Sequence, residues 1–334
     1  MKTNDPNTKR TQTRRGHPEN RHVDIPSTIN IPLPKELKEP HRYPYDDITA
    51  AFCRLLQKEL SFRQQAGMSV QPLRLYLSNL FEVQNTLLPL GVAGYGQRLA
   101  PILDILRKSK KQLTICDAGC GYGTESLLFA LLGMNVTGIE LVSERRELAS
   151  SRIDFFNSIR ETRLKIDFQN VNVFPFLMRS DTFDVIWAME AISHIYPPEK
   201  FLDLAYSKLN KGGWLVISDP NKINPLAWLR SVRIRGSLSH APHTRFLDPE
   251  TRQPVEYGQE KIYSARTMKK ILIGSGFHPE RIHISGFLGS NLLPKTIARN
   301  PRLTDAIKRT PHIIRRIPVL RGLGSLYTIT AQKR

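Results

Sequence analysis

Apolar positions along the chain follow two rhythms. Between residues 43 and 111 they recur three and four apart, in ITAAFCRLLQKELSFRQQ, LRLYLSNLFEVQNTLL and GQRLAPILDILRKS, which predicts three helices. From residue 113 onward, short apolar runs alternate with longer amphipathic stretches. The runs at 113–116, 136–139, 164–168, 184–188 and 214–218 predict strands of a parallel sheet buried on both faces. The stretches at 124–132, 143–160 and 200–209 predict the helices between them. A further helix with a glycine stop is expected at 264–277, a sixth strand at 281–285, and a seventh at 326–331, where LYTITA alternates β-branched residues. Strands alternating with helices make this an α/β chain. Two intervals, 222–262 and 287–325, are too long for simple turns, and connections of that length in a compact domain usually carry function.

The densest chemistry lies in residues 114–140, TICDAGCGYGTESLLFALLGMNVTGIE. They read as strand, glycine-rich turn, helix and second strand. Gly119, Gly121 and Gly123 stand at alternate positions, where a missing Cβ permits tight turning and lets a ligand approach the backbone. Asp117 closes the first strand and Glu140 the second. Ligands of open parallel sheets bind outside the carboxyl ends of the strands, so these residues converge on one crevice. A dinucleotide fingerprint would read G-x-G-x-x-G. Here the spacing is G-x-G-x-G, Thr124 stands at the third glycine position, and Asp117 would repel a pyrophosphate but attract an ammonium group. Glu140 suits the two hydroxyls of a ribose. A ligand with a ribose at one end and an amino acid at the other fits these groups, and S-adenosylmethionine is such a ligand.

DAGCGYGT, followed by GIE with its acid 23 residues after the first Asp, resembles the first two motifs of class I S-adenosylmethionine-dependent methyltransferases. The resemblance extends through FQNVNVFPFLMRSDTFDVIWAMEAISHI, where Pro175, Phe176, Phe183 and Asp184 match a Pro-Phe turn and a strand-opening Phe-Asp pair. It continues through an E-x-x-x-H element, Glu190 to His194, and the turn Lys211-Gly212-Gly213. It implies a Rossmann-like seven-stranded sheet, mostly parallel with a C-terminal antiparallel strand and flanked by helices. It also implies a cofactor site of Asp117, Gly119, Cys120, Gly121, Gly123, Glu140 and Leu141, with Met189 and Glu190 at the methionine end. Asn170 and Val171 fall at the adenine end; many relatives have an Asp where Asn170 stands, and the Asn carbonyl can still accept a hydrogen bond. His194 is the residue placed to act as general base, and a packing role beside the next helix is the alternative. Tyr95 is a candidate cover residue for the cleft, with a plain packing role as the favoured alternative. The domain plan is an unstructured basic arm over 1–42, helices over 43–111 that cover the cleft, and a methyltransferase domain over 112–334. Its two insertions, expected to be helical caps, include one that roofs the cleft and selects substrate.

Composition narrows the partners. The net charge is +19, and residues 220–334 carry 21 basic against 6 acidic side chains while residues 111–219 are slightly acidic. Arg230, Arg233 and Arg235 in the first insertion, and Lys308, Arg309, Arg315, Arg316 and Arg321 in the second, are interleaved with apolar residues. Such segments suit an anionic membrane surface, RNA phosphates or a small anionic substrate. The leading expectation is methyl transfer to a small-molecule or lipid-like acceptor. The alternatives are an RNA or DNA methyltransferase, although AMEAISHI has no Asn-Pro-Pro-Tyr type element for a flipped base, and a cofactor-binding regulator without chemistry. Three cysteines, Cys53, Cys116 and Cys120, offer neither a disulfide framework nor a metal-ligand cluster. No apolar run resembles a signal peptide or reaches the roughly 18 residues a membrane span needs. A cytoplasmic protein, soluble or peripheral at a membrane, is therefore expected, with no metal.

Overall fold

The computed structural model describes residues 32–81, 87–109, 111–225, 244–257, 261–286, 306–307, 317 and 322–334. Five strands run parallel: β1 (Thr114–Ala118), β2 (Asn135–Glu140), β3 (Ile166–Asn170), β4 (Phe183–Met189) and β5 (Leu209–Pro220). A separate pair, β6 (Thr244–Leu247) and β7 (Pro254–Tyr257), forms an antiparallel hairpin. Then β8 (His278–Ser285) and β9 (Leu326–Gln332) complete the main sheet in the order β3-β2-β1-β4-β5-β9-β8, with β9 antiparallel to both neighbours. The seven-stranded, mostly parallel sheet expected from the apolar runs is thus present. Its strand order reverses between β1 and β4, and a crevice opens there at the carboxyl ends.

Alternation along the strands divides the core in two. Ile115, Val185, Trp187 and Val216 pack on one face, beneath α2 (Tyr45–Gln65), α4 (Pro89–Lys108), α5 (Thr124–Leu131) and α6 (Ser143–Ser158). Cys116, Ile186, Ala188, Leu215 and Ile217 pack on the other, against α8 (Pro198–Lys208) and α9 (Ala265–Gly274). Trp187 is fully buried and meets Phe129 of α5 edge-on at 5.7 Å. Among the described residues, no helix is long and apolar enough to cross a membrane.

Four local expectations need correction. The arm expected to be unstructured through residue 42 carries α1 (Lys35–Lys38), whose Leu37 is buried against the core. The helix expected over 73–88 stops early: α3 covers Gln71–Tyr76, and a turn through Asn79 packs so closely on Gly91 of α4 that a Cβ there would lie 1.8 Å from the Asn79 carbonyl oxygen. That close packing offsets the poor helix propensity of Gly91 in the first turn of α4, which starts ahead of the expected residue 96. The Pro-Phe turn is the helix α7 (Val173–Arg179), capped by Asn172, whose Oδ1 accepts from the Phe174 amide at 3.0 Å. Pro175 is tolerated in its first turn, where amides have no helical partner. Finally, residues 244–257 of the first insertion form the β6–β7 hairpin, where a helical cap was expected. Residues 226–243, with their three arginines, and the arginine-rich part of the second insertion lie outside the described residues.

Candidate active site

The glycine loop is wired to the end of β2. The amides of Gly119 and Cys120 both donate to the Ile139 carbonyl at 2.9 Å, and the Gly121 amide donates to Glu140 Oε2 at 2.9 Å. Glu140 Oε1 accepts from the Val142 amide at 2.8 Å, so one carboxylate fixes the turn after β1 and the turn after β2 together. All three glycines adopt left-handed backbone, with φ of +76°, +55° and +70°. Their surroundings differ. A Cβ on Gly119 would sit 2.8 Å from the Ala191 side chain and one on Gly123 2.4 Å from the Phe168 ring, whereas one on Gly121 would meet nothing within 4 Å. The outer two serve close packing, and the middle one opens toward the crevice.

That crevice is a cavity of ≈ 370 Å³. Of the residues expected in the site, Gly119, Gly121, Glu140, Leu141, Val171, Met189, Glu190 and His194 line it. Asp117, Cys120, Gly123 and Asn170 do not line it. Asp117 is buried, with Ser126 donating to its Oδ2 at 2.5 Å. Burial pushes its carboxyl up to about 8, and the nearby Glu125 and Glu140 add to the rise against the Ser126 hydrogen bond. Burial likewise raises the Glu140 carboxyl, opposed by its amide donors and Arg145. Asn170 also fixes the corner between the strands. Paired with Glu140 in the β2–β3 register, it donates its amide to the carbonyls of Glu140 at 2.9 Å and Leu141 at 3.0 Å. The wall at that end is Val171, Asn172 and Val173.

Several site residues escaped the sequence reading. Arg98 of α4 reaches under the rim, donating to Ser218 Oγ at 2.7 Å, to the Ser218 carbonyl at 2.9 Å and to Glu190 Oε1 at 2.5 Å. Its guanidinium holds the Glu190 carboxyl below the usual carboxylate range. Glu190 itself has a left-handed backbone, φ 51°, at the end of β4. The detectable sign was an arginine on the stripe formed by Tyr95, Leu99 and Ile102, where an apolar residue was expected. Tyr95, the candidate cover residue, donates to the buried Glu125 carboxylate at 2.6 Å, and burial raises the Glu125 carboxyl. Tyr76 of α3 takes the lining position instead, edge-on to Tyr122 at 5.2 Å.

The opposite wall is largely apolar. His194 lies in the turn after β4, with Ile195, Tyr196, Phe174, Pro220 and Val255 around the same cavity. Val255 comes from β7, and the hairpin is tied to α7 by Arg179, which donates to both Glu250 oxygens at 2.7 Å. Among the described residues, no group of three or more His, Cys, Asp or Glu side chains is arranged to hold a metal ion. The donor set fits S-adenosylmethionine: a bare, left-handed backbone at Gly121, and a carboxylate whose oxygens each keep a lone pair beyond the one used by an amide.

Comparison with known proteins bears on this site. The chain is 31% identical over 119 residues to a ubiquinone biosynthesis O-methyltransferase of Psychrobacter arcticus, covering 35% of this chain and 44% of that protein. It is 28% identical over 172 residues to the protein of the same name from Chromobacterium violaceum, covering 49% and 68%. It therefore spans less than half the length of the first of these relatives. Among solved structures it is similar to the magnesium protoporphyrin IX methyltransferase of Synechocystis with bound SAH, at 14% identity and a TM-score of 0.49, covering 78% of this chain and 92% of that one. The profile of the methyltransferase domain family matches residues 93–281, more than half of the chain and the whole span from Arg98 to His194. With its motifs in order around one cavity, the chain belongs to the methyltransferase domain family, of the class I S-adenosylmethionine-dependent type.

Proposed function

We propose that this chain methylates a hydroxyl of a small, lipid-like acceptor, with His194 as general base. The observation that carries the reading is the two-sided cavity. One wall is directional and polar, built from the glycine loop and Glu140; the other sets a single imidazole among Phe174, Ile195, Tyr196, Pro220 and Val255. Relatives named ubiquinone biosynthesis O-methyltransferases support an oxygen acceptor on such a molecule.

S-adenosylmethionine, when bound, supplies an electrophilic methyl group. Glu140 would accept the ribose hydroxyls on its remaining lone pairs, and Gly121 would let the ligand lie against bare backbone. His194 would take the proton from the acceptor hydroxyl as its oxygen gains the methyl. Glu190, kept ionised by Arg98 and within electrostatic reach of His194, would stabilise the imidazolium. The apolar wall would exclude water and hold the acceptor in line, and alignment can supply much of the rate in such a displacement.

The test supplies methyl-labelled cofactor with either an organic-soluble metabolite extract or bulk RNA. Label is expected in the organic phase. The variant His194→Asn should lower that incorporation by about 10²- to 10⁴-fold with affinity for S-adenosylhomocysteine unchanged. Label in RNA alone, or full turnover by the variant, would overturn the proposal.

A further inference from the structure

Beneath the cofactor loop lies a charged cluster that none of the site residues above includes. Glu59 and Arg63 lie one turn apart on α2 and Arg152 on α6; Glu59 and Arg152 are 0% exposed and Arg63 2%. Arg152 Nε donates to Glu59 Oε1 at 2.8 Å and its Nη2 to Oε2 at 2.9 Å, a two-point pair, while Arg63 Nε donates to the same Oε1 at 3.0 Å. Arg63 also reaches Ser151 Oγ at 3.3 Å. The remaining terminal nitrogen of Arg152 lands on the loop: Nη1 donates to the Tyr122 carbonyl at 2.5 Å and to Thr124 Oγ1 at 2.9 Å.

Tyr122 and Thr124 flank Gly123, the left-handed residue through which the loop enters α5. Tyr122 lines the cavity while its carbonyl is held from behind by Arg152. The residue facing the ligand is therefore tied through Arg152 and Glu59 to the amino-terminal helix α2. Stability alone does not account for three ionised groups in this place, because burying charges is costly and apolar side chains of similar volume often serve as well. What apolar side chains cannot do is direct a fork of donors at one carboxylate, one loop carbonyl and one hydroxyl at once.

We propose that Arg152 and Glu59 are positioning residues that hold the glycine loop in its cofactor-accepting shape, so that α2 sets cofactor affinity from outside the cavity. The proposal rests on the reading that this loop binds S-adenosylmethionine. Neither residue touches the cavity; each acts through Tyr122 and Thr124.

Calorimetric titration of the full chain with S-adenosylhomocysteine, beside thermal melts, tests it. Thr124→Val removes one of the two loop-side acceptors, leaving the Tyr122 carbonyl, and should weaken binding about three- to tenfold. Arg152→Lys replaces the fork by a point charge and should weaken it by about tenfold or more. Ser151→Ala removes a hydroxyl that meets Arg63 and the Leu148 carbonyl but neither Arg152 nor the loop, and should bind within about twofold of wild type. A purely structural cluster would lower melting temperatures and leave these affinities equal. If wild type binds and both Thr124→Val and Arg152→Lys bind within about twofold of it, the positioning role is wrong. If wild type itself does not bind, the cofactor reading has failed instead. Should Arg152→Lys not fold, Thr124→Val still decides.

Discussion

The two walls of the cavity are built by opposite means. The wall formed by β1, β2 and α5 is fixed by hydrogen bonds: Glu140 gathers two turns, Asn170 ties β3 to the same corner, and Arg152 braces the loop from behind. The wall formed by residues 194–196, α7 and the β6–β7 hairpin is lined mainly by apolar side chains, and one surface ion pair ties the hairpin to α7. Directional bonds in a buried setting specify one ligand closely, because a misplaced partner leaves a polar group unpaired. Apolar contact tolerates exchange of one side chain for another of similar size. Under the proposed reading, one fixed methyl donor and a separate acceptor call for this division. Changes in the first wall should therefore act on the donor alone, and changes in the second on the acceptor alone.

The largest effect is expected at Glu140. Its replacement by Ala removes two charge-assisted acceptors for the ribose, each contributing roughly 1.5–3 kcal/mol, and also releases the Gly121 and Val142 amides. Affinity for S-adenosylhomocysteine should fall by about 10²-fold or more, measured by calorimetry, with the fold retained in circular dichroism. Binding within a few-fold of wild type would dissolve the contrast between the walls at its strongest point.

An intermediate effect should appear at Asp117, in stability against pH. Its folded pKa is raised to about 8, mainly by burial, while an unfolded Asp titrates near 3.9. Below pH ~4 both states hold the proton and nothing is lost. As pH rises toward 8 the unfolded chain releases it while the folded chain retains it, so the native state is progressively disfavoured, and above 8 the loss levels off. Asp117→Asn does not titrate, and its carbonyl can still accept from Ser126. The melting temperature of the variant minus that of wild type should climb from pH 5 to pH 8, by roughly 2–4 °C for each kcal/mol involved. Glu125 and Glu140, whose carboxyls are also raised, remain in the variant, so only part of the wild-type slope should vanish. A difference independent of pH would mean that Asp117 is ionised in the fold.

The same contrast explains what the sequence disclosed. The first wall was legible because it lies on regular elements: an apolar run, glycines at alternate positions and an acid at the next strand's end leave one arrangement in a parallel sheet. Gly119, Gly121 and Glu140 accordingly lie on the cavity. Asn170 illustrates the limit of that reasoning. Its position at the end of β3 was legible, but its amide turns to two backbone carbonyls, a choice made by the β2–β3 register rather than by local pattern. Arg98 and Tyr76 were missed because they come to the site from helices distant in the chain, and no period in the sequence links α4 to Ser218. The second wall was the least legible. Its hairpin was expected to be helical, and what holds it in place is a pair of residues 71 positions apart.

That pair offers the smallest effect and the finest test. Arg179 and Glu250 keep 60% and 42% of their side chains exposed, so Arg179→Ala should change stability by only about 0–1 kcal/mol. Its consequence should fall on the acceptor, because loosening the hairpin moves Val255 at the cavity wall. With the acceptor found by methyl labelling, KM should rise about two- to fivefold in Arg179→Ala while affinity for S-adenosylhomocysteine stays constant. Glu250→Ala should do the same, and the double variant should be no worse than either alone, since both changes break one contact. Additive losses would show that the two residues act separately. A change in S-adenosylhomocysteine affinity would show that the walls are coupled, and that the hairpin helps to hold the donor as well as the acceptor.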